Sequence, residues 1–246
     1  MKKEINFYKK NGFVVIKKII TEKQIEDLLK EVEVIKTKAF KTRNRRYFHF
    51  TKNKQINTVH NIQKFYKSKL LEKLLQNPNI KKFVKNILTK KFLVRNYEFF
   101  LKPAKTGMPS PLHQDNFFWN IIDGKALNAW IALSDANSKN GGIYYLKGSH
   151  KFGTLKHVPS YMKGTSQMIS KKNINNKKME KVFPNLKKGD CLIHHCEVMH
   201  GSNKNISNKN RVGIAISYKS LFSKIDLNKK RQYEDSLKKT LKTIYN

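Results

Sequence analysis

In the segment 211–218, bulky and small side chains alternate strictly after Arg211. The bulky members are Val212, Ile214, Ile216 and Tyr218, and the small members are Gly213, Ala215 and Ser217. A period of two is typical of a β-strand whose faces meet different surroundings. We therefore expect a strand that packs one face on a core and clears space on the other beside Arg211. A guanidinium in that position has the fork geometry that holds a carboxylate through two parallel hydrogen bonds.

Two metal-binding side chains lie one residue apart in the run PLHQD. An extended chain directs residues i and i+2 to the same face, so His113 and Asp115 can reach one metal ion together. The later run HHCEVMHGSN offers His194, His195 and His200 as a third ligand. Two histidines and one carboxylate leave open positions that suit non-haem Fe(II) holding a bidentate cosubstrate and dioxygen. The pattern predicts iron-dependent oxygen chemistry.

The surroundings of these histidines follow a strand, turn, strand pattern. Gly189 and Asp190 predict a turn, after which a strand is expected from Cys191 to His195. The polar run from Gly201 to Asn210 predicts a loop that ends where the strand beginning at Arg211 starts.

Four ordered blocks resemble the phytanoyl-CoA dioxygenase family of Fe(II)- and 2-oxoglutarate-dependent oxygenases. The first is FYKKNGFVVIKKIITEKQIEDLLKEVE (7–33), similar to the family's opening strand and the helix after it, and the second is PLHQD (111–115). The third is LNAWIALSDANSKNGGIYYLKGSHKFG (127–153), similar to the family's tryptophan strand and NG…GSH turn. The fourth is GDCLIHHCEVMHGSNKN followed by RVGIAISY. The resemblance covers nearly the whole chain, which makes it far more specific than one motif.

The resemblance implies a role for individual residues. The Fe(II) ligands that it implies are His113, Asp115 and His200. Arg211 follows His200 by eleven positions, as the family pattern expects, and would pair with the distal carboxylate of 2-oxoglutarate. Ser202, in the HGS triplet, and Trp130 would line the same cosubstrate pocket. Dioxygen is the second cosubstrate that the resemblance implies.

For several further residues, a role in the site competes with a simpler structural role. Lys102 precedes the first ligand on a strand and is expected either against an acid group of the cosubstrate or in solvent. Trp130 is equally consistent with packing in a strand core. Phe117 and Trp119 are expected to contact the substrate or to fill the barrel. His195 is interpreted as a pocket histidine beside the ligands.

The expected architecture is mainly β, with a double-stranded β-helix, or cupin-like jelly roll, as its core. Helices are predicted outside it at 22–38, 70–88 and 233–244, the second split at Pro78 and Asn79. With 246 residues, 39% of them hydrophobic, residues 1–246 are interpreted as a single domain.

The net charge of +35 is the feature least typical of such an enzyme. The lysines form scattered pairs rather than a stripe, and asparagine and isoleucine are also abundant, so most of the excess is interpreted as compositional drift. The remainder predicts an anionic small-molecule substrate rather than nucleic acid. The Lys- and Asn-rich segment 161–181 is interpreted as a surface insertion, with a lid over the pocket as the alternative.

The expected location is the reducing cytoplasm. The first residues lack the apolar run of a signal peptide, and no run of about 18 apolar residues predicts a membrane span. Two cysteines, Cys191 and Cys196, do not indicate a disulfide framework. Oligomeric state is not predicted.

The expected function is hydroxylation of a C–H bond by Fe(II), 2-oxoglutarate and dioxygen, with release of succinate and carbon dioxide. Two alternatives stay open: an oxygenase of the same chemistry acting on nucleic acid or nucleoprotein, which only the charge supports, and a barrel that binds a ligand without turnover.

Overall fold

The computed structural model describes residues 1–42, 47–162, 164–174 and 178–245. Its helices are α1 (Lys2–Asn11), α2 (Glu22–Thr42), α3 (Lys69–Leu75), α4 (Pro78–Ile87), α5 (Asp115–Trp119) and α6 (Leu227–Tyr245). Its strands are β1 (Phe13–Ile16), β2 (Phe48–Phe50), β3 (Ile56–Val59), β4 (Phe92–Lys102), β5 (Ser110–His113), β6 (Ala126–Ala132), β7 (Ile143–Leu146), β8 (His157–Met162), β9 (Thr165–Ile169), β10 (Lys181–Val182), β11 (Cys191–His195), β12 (His200–Ser202) and β13 (Arg211–Ser220).

The named strands form three antiparallel sheets. The large sheet has the order β1-β11-β6-β13-β4-β3-β2, the second has the order β10-β7-β12-β5, and β8 and β9 form a hairpin. Strands far apart in sequence are neighbours in both larger sheets, as in β13, which pairs with β4 on one side and β6 on the other. This two-sheet arrangement is a jelly roll, so the predicted fold class is confirmed.

The two faces of the large sheet pack in different ways, as the alternation of β13 predicts. Ile214, Ile216 and Tyr218 belong to the main core, which also contains the buried faces of α2, α3 and α4. Ala215 faces the barrel interior with Trp130. The small residues therefore line the inside of the barrel.

Local capping explains where the helices of the 70–88 region begin and end. The Ser68 side chain accepts a hydrogen bond from the Leu71 N–H and caps α3, and the Asn77 side chain caps α4, whose first residue is Pro78. The predicted split is confirmed. Two other predicted helices are longer than expected, since α2 continues to Thr42 and α6 begins at Leu227.

Helix α1 is not among the predicted helices because its sequence is polar, and only Tyr8 and Asn11 are buried on it. The helix ends at Gly12, whose φ of 83° lies in the left-handed region. A side chain there would also meet the imidazole of His150, because a Cβ would lie 2.6 Å from its Nδ1.

Two loop predictions are corrected by the described residues. The expected loop 201–210 begins later, because Gly201 and Ser202 pair with β7 in β12. Much of the segment 161–181 is ordered structure: the β8–β9 hairpin packs against α6, and Gln167 donates a hydrogen bond to the Ser236 hydroxyl over 3.1 Å. Residues 163 and 175–177 of that segment lie outside the described residues.

Within the described residues, no helix is both long and apolar enough to cross a membrane. Cys191 and Cys196 are buried free thiols.

Candidate metal and cosubstrate site

Antiparallel pairing of β5 with β12 brings the predicted iron ligands together. His113 stands directly opposite His200 in this ladder. His113 Nε2 lies 3.8 Å from Asp115 Oδ1, and His200 Nε2 lies 3.7 Å from the same oxygen. One ligand atom from each of the three residues falls within 4.8 Å of the others. The three side chains thus converge on one point with the donor set of a facial triad.

The extended H-x-D geometry that the sequence suggested is only half correct. His113 ends β5 and Gln114 is extended, but Asp115 is the first residue of helix α5. Its carboxylate still reaches the two imidazoles because the helix begins immediately after the strand.

Hydrogen bonds to the backbone determine which ring nitrogen of each histidine faces the centre. His113 Nδ1 lies 2.7 Å from the Pro111 carbonyl oxygen, and His200 Nδ1 lies 3.0 Å from the Val198 carbonyl oxygen. A carbonyl oxygen only accepts, so each Nδ1 donates its N–H and each Nε2 keeps a free lone pair. Both imidazoles are therefore held as neutral ligands.

Asp115 is oriented by a chain of side-chain hydrogen bonds. His194 Nε2 lies 3.0 Å from Asp115 Oδ2, and the Tyr145 hydroxyl lies 2.8 Å from His194 Nδ1. The Asn128 amide donates to the same Oδ2 over 3.3 Å. Because a carboxylate oxygen accepts, His194 donates through Nε2 and accepts from Tyr145 at Nδ1. The chain occupies Oδ2 and leaves Oδ1 facing both ligand histidines.

The protonation states agree with this arrangement. Burial lowers the pKa of His113 and, more strongly, of His200, and the neighbouring imidazoles add to the effect. Burial alone would raise the pKa of Asp115, but His200 and the hydrogen bond from His194 outweigh it and lower that pKa. Two neutral imidazoles and one carboxylate result, the protonation states in which all three bind a metal.

A pair of buried cations lies next to the triad, where β4 meets β13. Lys102 stands opposite Arg211 in the ladder, and each residue is 2% exposed. Lys102 Nζ donates to the Ser202 hydroxyl over 2.7 Å and to the Asn203 carbonyl over 2.6 Å. The alternative of a solvated lysine is wrong, since the structure buries Lys102 completely. Ser202 is two residues from His200, so the cations lie roughly 7 Å along β12 from the triad.

Only some of the hydrogen-bond donors of the Arg211 guanidinium have a partner. Its Nη2 donates to the Gly141 carbonyl over 3.0 Å, whereas Nε and Nη1 are buried with no hydrogen-bond partner. Trp130 Nε1, also buried, has none either, and its ring centroid lies 5.2 Å from Arg211 Cζ. Unpaired buried N–H groups are costly and therefore rare. Together these buried donors can bind an anionic ligand.

Gly213 makes room for the tryptophan in this cluster. A Cβ at Gly213 would lie 2.0 Å from Trp130 Cζ2, so no larger residue fits under the ring. Trp130 both packs in the inner core and borders the cation pair. Its two competing interpretations are therefore compatible.

Burial changes the pKa values of both Lys102 and Arg211. Burial lowers the pKa of Lys102 well below its usual value, and nearby Arg211 lowers it further. Burial also lowers the pKa of Arg211 to about 9, which leaves it protonated at pH 7. Within the described part of the chain, no Asp or Glu carboxylate lies within 4.0 Å of either cation. A dicarboxylate fits this end of the site in charge and in hydrogen-bonding capacity.

Aromatic residues of α5 form a wall beside the triad. The Phe118 ring lies 5.8 Å from the His113 ring, and Phe117 stacks on His157 at 4.1 Å. Tyr233 of α6 packs edge-on against both phenylalanines. Phe117 thus packs in the wall, and Trp119 lies at the end of α5 beneath the guanidinium of Arg95.

His157 supports the segment between two of the ligands. Its Nε2 accepts the Gln114 N–H over 3.1 Å, and its Nδ1 donates to the Leu155 carbonyl over 2.9 Å. Burial lowers the pKa of His157 to about 4, so the ring is neutral at pH 7.

The prediction of His195 as the pocket histidine is corrected by strand alternation. On β11, His194 shares the inner face with Leu192, whereas His195 follows Cys191 and Ile193 on the outer face. Its ring lies 5.3 Å from that of His150 and 6.3 Å from that of Tyr8. The histidine beside the triad is His194.

Sequence reasoning also missed Tyr145, Asn128 and Arg95. His194 could have been found by extending the alternation of β11, because Leu192 marks the inner face. The other three come from β7, β6 and β4, and nothing in their local sequence connects them to the triad.

Solved structures with the same fold include iron- and 2-oxoglutarate-dependent enzymes. EctD from S. alaskensis with 2-oxoglutarate and 5-hydroxyectoine has a TM-score of 0.75 at 18% identity, covering 92% of this chain and 78% of that one. The epimerase SnoN, in complex with Fe3+, alpha ketoglutarate and nogalamycin RO, has a TM-score of 0.73 at 19% identity, covering 91% and 85%. The fold is that of the Fe(II)- and 2-oxoglutarate-dependent oxygenases, as predicted.

Sequence comparison gives the particular family. The profile of the phytanoyl-CoA dioxygenase (PhyH) family matches residues 8–213. Peroxisomal phytanoyl-CoA dioxygenase of Bos taurus is 26% identical over 86% of this chain, which spans 66% of that relative. Ectoine dioxygenase of Bordetella bronchiseptica is 23% identical over 89% of this chain and 75% of its own length. This chain belongs to the phytanoyl-CoA dioxygenase family, whose enzymes use Fe(II), 2-oxoglutarate and dioxygen.

Proposed function

We propose that this protein is an Fe(II)- and 2-oxoglutarate-dependent dioxygenase that hydroxylates a C–H bond of a small molecule. The observation that carries the proposal is the juxtaposition of the buried triad with two buried basic side chains that have no carboxylate partner among the described residues. Either cluster alone could occur in a protein of another function, but together they match a metal ion and a dicarboxylate cosubstrate.

The three ligands proposed for Fe(II) are His113 and His200 through Nε2 and Asp115 through Oδ1. Their task is to present these atoms without rearrangement, and the hydrogen bonds on the opposite atoms hold them in place. Bound iron would supply the activation of dioxygen that, with 2-oxoglutarate, drives hydroxylation and releases succinate and carbon dioxide.

Arg211 is proposed to hold the distal carboxylate of 2-oxoglutarate through its unpaired Nε and Nη1 groups. Lys102 and Ser202, joined over 2.7 Å, would add a second cation and a hydroxyl on the same side. Trp130 would contribute the indole N–H and a flat apolar wall. This arrangement fixes the cosubstrate at the end remote from the metal, so that its keto acid end is directed toward the triad.

The remaining contribution of the protein is shielding. Phe117, Phe118 and Trp119 are proposed to form one wall of the substrate pocket, and their rings exclude water beside the triad. No side chain is needed as a general base, because the reaction breaks a C–H bond by oxidation.

The substrate is proposed to be a small molecule. The curated relatives are named for phytanoyl-CoA and for ectoine, which are chemically unlike each other, and this chain is less than 30% identical to both. Those names support small-molecule chemistry in general rather than one of these two compounds.

The test is an anaerobic titration of metal-free protein with Fe(II) and 2-oxoglutarate, followed by the visible charge-transfer band of the chelate. We expect a band in the wild type, and in Arg211→Ala a band that needs far more 2-oxoglutarate. Lys90→Ala, which removes an exposed cation, is the matched control and should titrate like the wild type. A wild type without a band would refute the proposal.

A further inference from the structure

Strand β4 contains a β-bulge at one arginine, Arg95. The ladder with β13 pairs Asn96 with Ser217 and then Val94 with Tyr218, so Arg95 is the extra residue between the two pairs. Bulges of this kind change the direction of a side chain and are common next to active sites. Arg95 therefore leaves the regular alternation of the strand.

The guanidinium of Arg95 lies flat on an aromatic ring. Its Cζ is 4.4 Å from the centroid of Trp119, and its Nη1 is buried with no hydrogen-bond partner. Trp119 is itself held against Ile121, Ala126 and Cys196. Stacking fixes the plane of a guanidinium but leaves the N–H groups at its edge free to bind a ligand.

Arg95 lies on β4 like Lys102, but seven residues before it, and it is close to the proposed metal centre. Trp119 follows Asp115 by four residues on α5, which corresponds to roughly 6 Å along the helix. Burial lowers the pKa of Arg95, and the charge of Asp115 acts against that change, so the two groups are within electrostatic reach. Asn128, which bonds Asp115, stands opposite Ser217 in the β6–β13 ladder, and Ser217 stands opposite Asn96. A continuous strip of side chains thus joins Arg95 to the triad.

Beyond the stacking on Trp119, Arg95 has no acceptor among the described residues. Glu98 and Asp115 act on it electrostatically, but neither lies within the 4.0 Å of an ion pair. Glu98 is instead bonded to His60 over 3.0 Å and to Asn96 over 2.8 Å. A partly buried guanidinium that has no acceptor among the described residues, and that stacks on a ring of the wall proposed for the substrate pocket, can bind an anion.

We propose that Arg95 binds an anionic group of the substrate, a carboxylate or a phosphate, and so determines which molecules enter the pocket. This inference rests on the proposed function and adds the substrate class to it. Arg211 and Lys102 would take the acid group of the cosubstrate, and Arg95 that of the substrate. Because Arg95 already covers the face of Trp119, that ring is closed to a cationic substrate. The net charge of +35 would draw anions toward the protein.

The test uses three probes of similar size: phenyl phosphate, benzoate and the uncharged benzamide. Each is titrated calorimetrically under anaerobic conditions into protein saturated with Fe(II) and 2-oxoglutarate, so that Arg211 and Lys102 are already occupied. We expect at least one anion to bind about 10-fold or more tightly than benzamide. Arg95→Gln should weaken that anion about 10- to 100-fold and leave benzamide unchanged. The tighter of the two anions identifies the acid group.

Two variants serve as controls. Lys90→Gln removes one exposed positive charge and should bind all probes like the wild type. Arg95→Lys keeps the charge but not the planar fork, and should bind the anion with intermediate affinity. Equal anion binding by Arg95→Gln and the wild type, or benzamide bound as tightly as the anions, would overturn the inference.

The charge-transfer band separates failure of this inference from failure of the proposed function. A normal band with no effect of Arg95→Gln on the probes refutes the anion site alone. If the band is absent, the titrations are repeated on metal-free protein. Anion binding that depends on Arg95 would then support the anion site without the oxygenase, and its absence would refute both.

Discussion

The triad and the cation pair lie side by side, but they are completed in different ways. In the triad, the atoms turned away from the centre already have protein partners, such as Pro111, Val198 and His194. In the cation pair, Arg211 keeps two buried N–H groups without a partner, and neither cation has a carboxylate within 4.0 Å among the residues that the structure describes. The protein alone positions the metal-binding atoms of the triad, whereas the cation pair depends on its ligand for hydrogen-bond acceptors and negative charge.

The difference follows from what each ligand supplies. A metal ion cannot correct a misplaced imidazole cheaply, so the protein fixes the ring and its tautomer beforehand. A dicarboxylate brings its own acceptors, and the protein gains by leaving donors open for it. Mutations should therefore separate the two clusters by the ligand whose binding they weaken.

The largest effect is expected from removing a member of the triad. Asp115→Ala should abolish Fe(II) binding and iron-dependent succinate formation, because the remaining imidazoles provide too few ligands and the hydrogen bond to His194 is lost. Iron binding is measured on the folded protein by the charge-transfer band and by metal analysis. His150→Ala, a histidine variant outside the triad, should retain most activity. A fully active Asp115→Ala variant would exclude the ligand assignment.

The next effect is expected at the cation pair and should appear only in the 2-oxoglutarate dependence. Arg211→Ala should raise the concentration of 2-oxoglutarate needed for half-saturation about 100- to 1,000-fold. The reason is that removing the guanidinium from a buried pair of arginine and carboxylate costs several kcal/mol of binding free energy. Fe(II) affinity in the absence of 2-oxoglutarate should stay within a few-fold of the wild type. Arg211→Lys should recover part of the loss, because it restores charge without the fork. Equal loss of iron affinity would contradict the separation of the two clusters.

A smaller effect on iron binding is expected from the chain that orients Asp115. Tyr145→Phe removes only the hydroxyl that bonds His194 Nδ1 over 2.8 Å, and Fe(II) affinity should fall about 10- to 100-fold. The neighbouring Tyr144→Phe is the matched control, because its ring points to the other face and contacts Phe183. Competition with a coloured chelator measures both affinities. Identical affinities in the two variants would show that the chain does not position Asp115.

The smallest effect is expected in stability and concerns neither cluster directly. Burial lowers the pKa of His157 to about 4, while the unfolded value is about 6.5. The contribution of neutral His157 to the free energy of unfolding is therefore complete above pH 6.5. It is lost as the pH falls toward 4, because in this range only the unfolded chain takes up a proton at His157. The loss should be on the order of 1 to 2 kcal/mol, below the full linkage value because the protonated ring can relax toward solvent. Urea unfolding at a series of pH values measures it.

Two variants check that assignment. His157→Phe should be less stable overall but show a flatter dependence on pH between about 4 and 6.5. The pKa of His60 is shifted in the opposite direction. Burial alone would lower it, but Glu98 raises it, so the contribution of His60 to the free energy of unfolding is lost as the pH rises. His60→Phe should therefore leave the acidic slope intact. An unchanged acidic slope in His157→Phe would contradict the assignment.

Local patterns named the ligand candidates, and the resemblance to a known family implied the fold class and the choice of His200 as the third ligand. The alternation of segment 211–218 identifies a strand with one face on the core, and both faces pack as expected. Ser68, Asn77 and Pro78 similarly explain the caps of α3 and α4. These features involve residues within a few positions of one another, where the periodicity of strands and helices connects sequence to geometry.

The sequence by itself determined the strands at 191–195 and 211–218, the split near Pro78, and the presence of a histidine, a carboxylate and an arginine at recognisable spacings. Only the tertiary structure decided which partners orient them. It selected His194 rather than His195, joined Tyr145 to Asp115 through His194, buried Lys102 opposite Arg211 and stacked Arg95 on Trp119 at a bulge. The physical reason is that antiparallel pairing brings together residues far apart in the chain, and their face and register depend on strands that no local pattern connects.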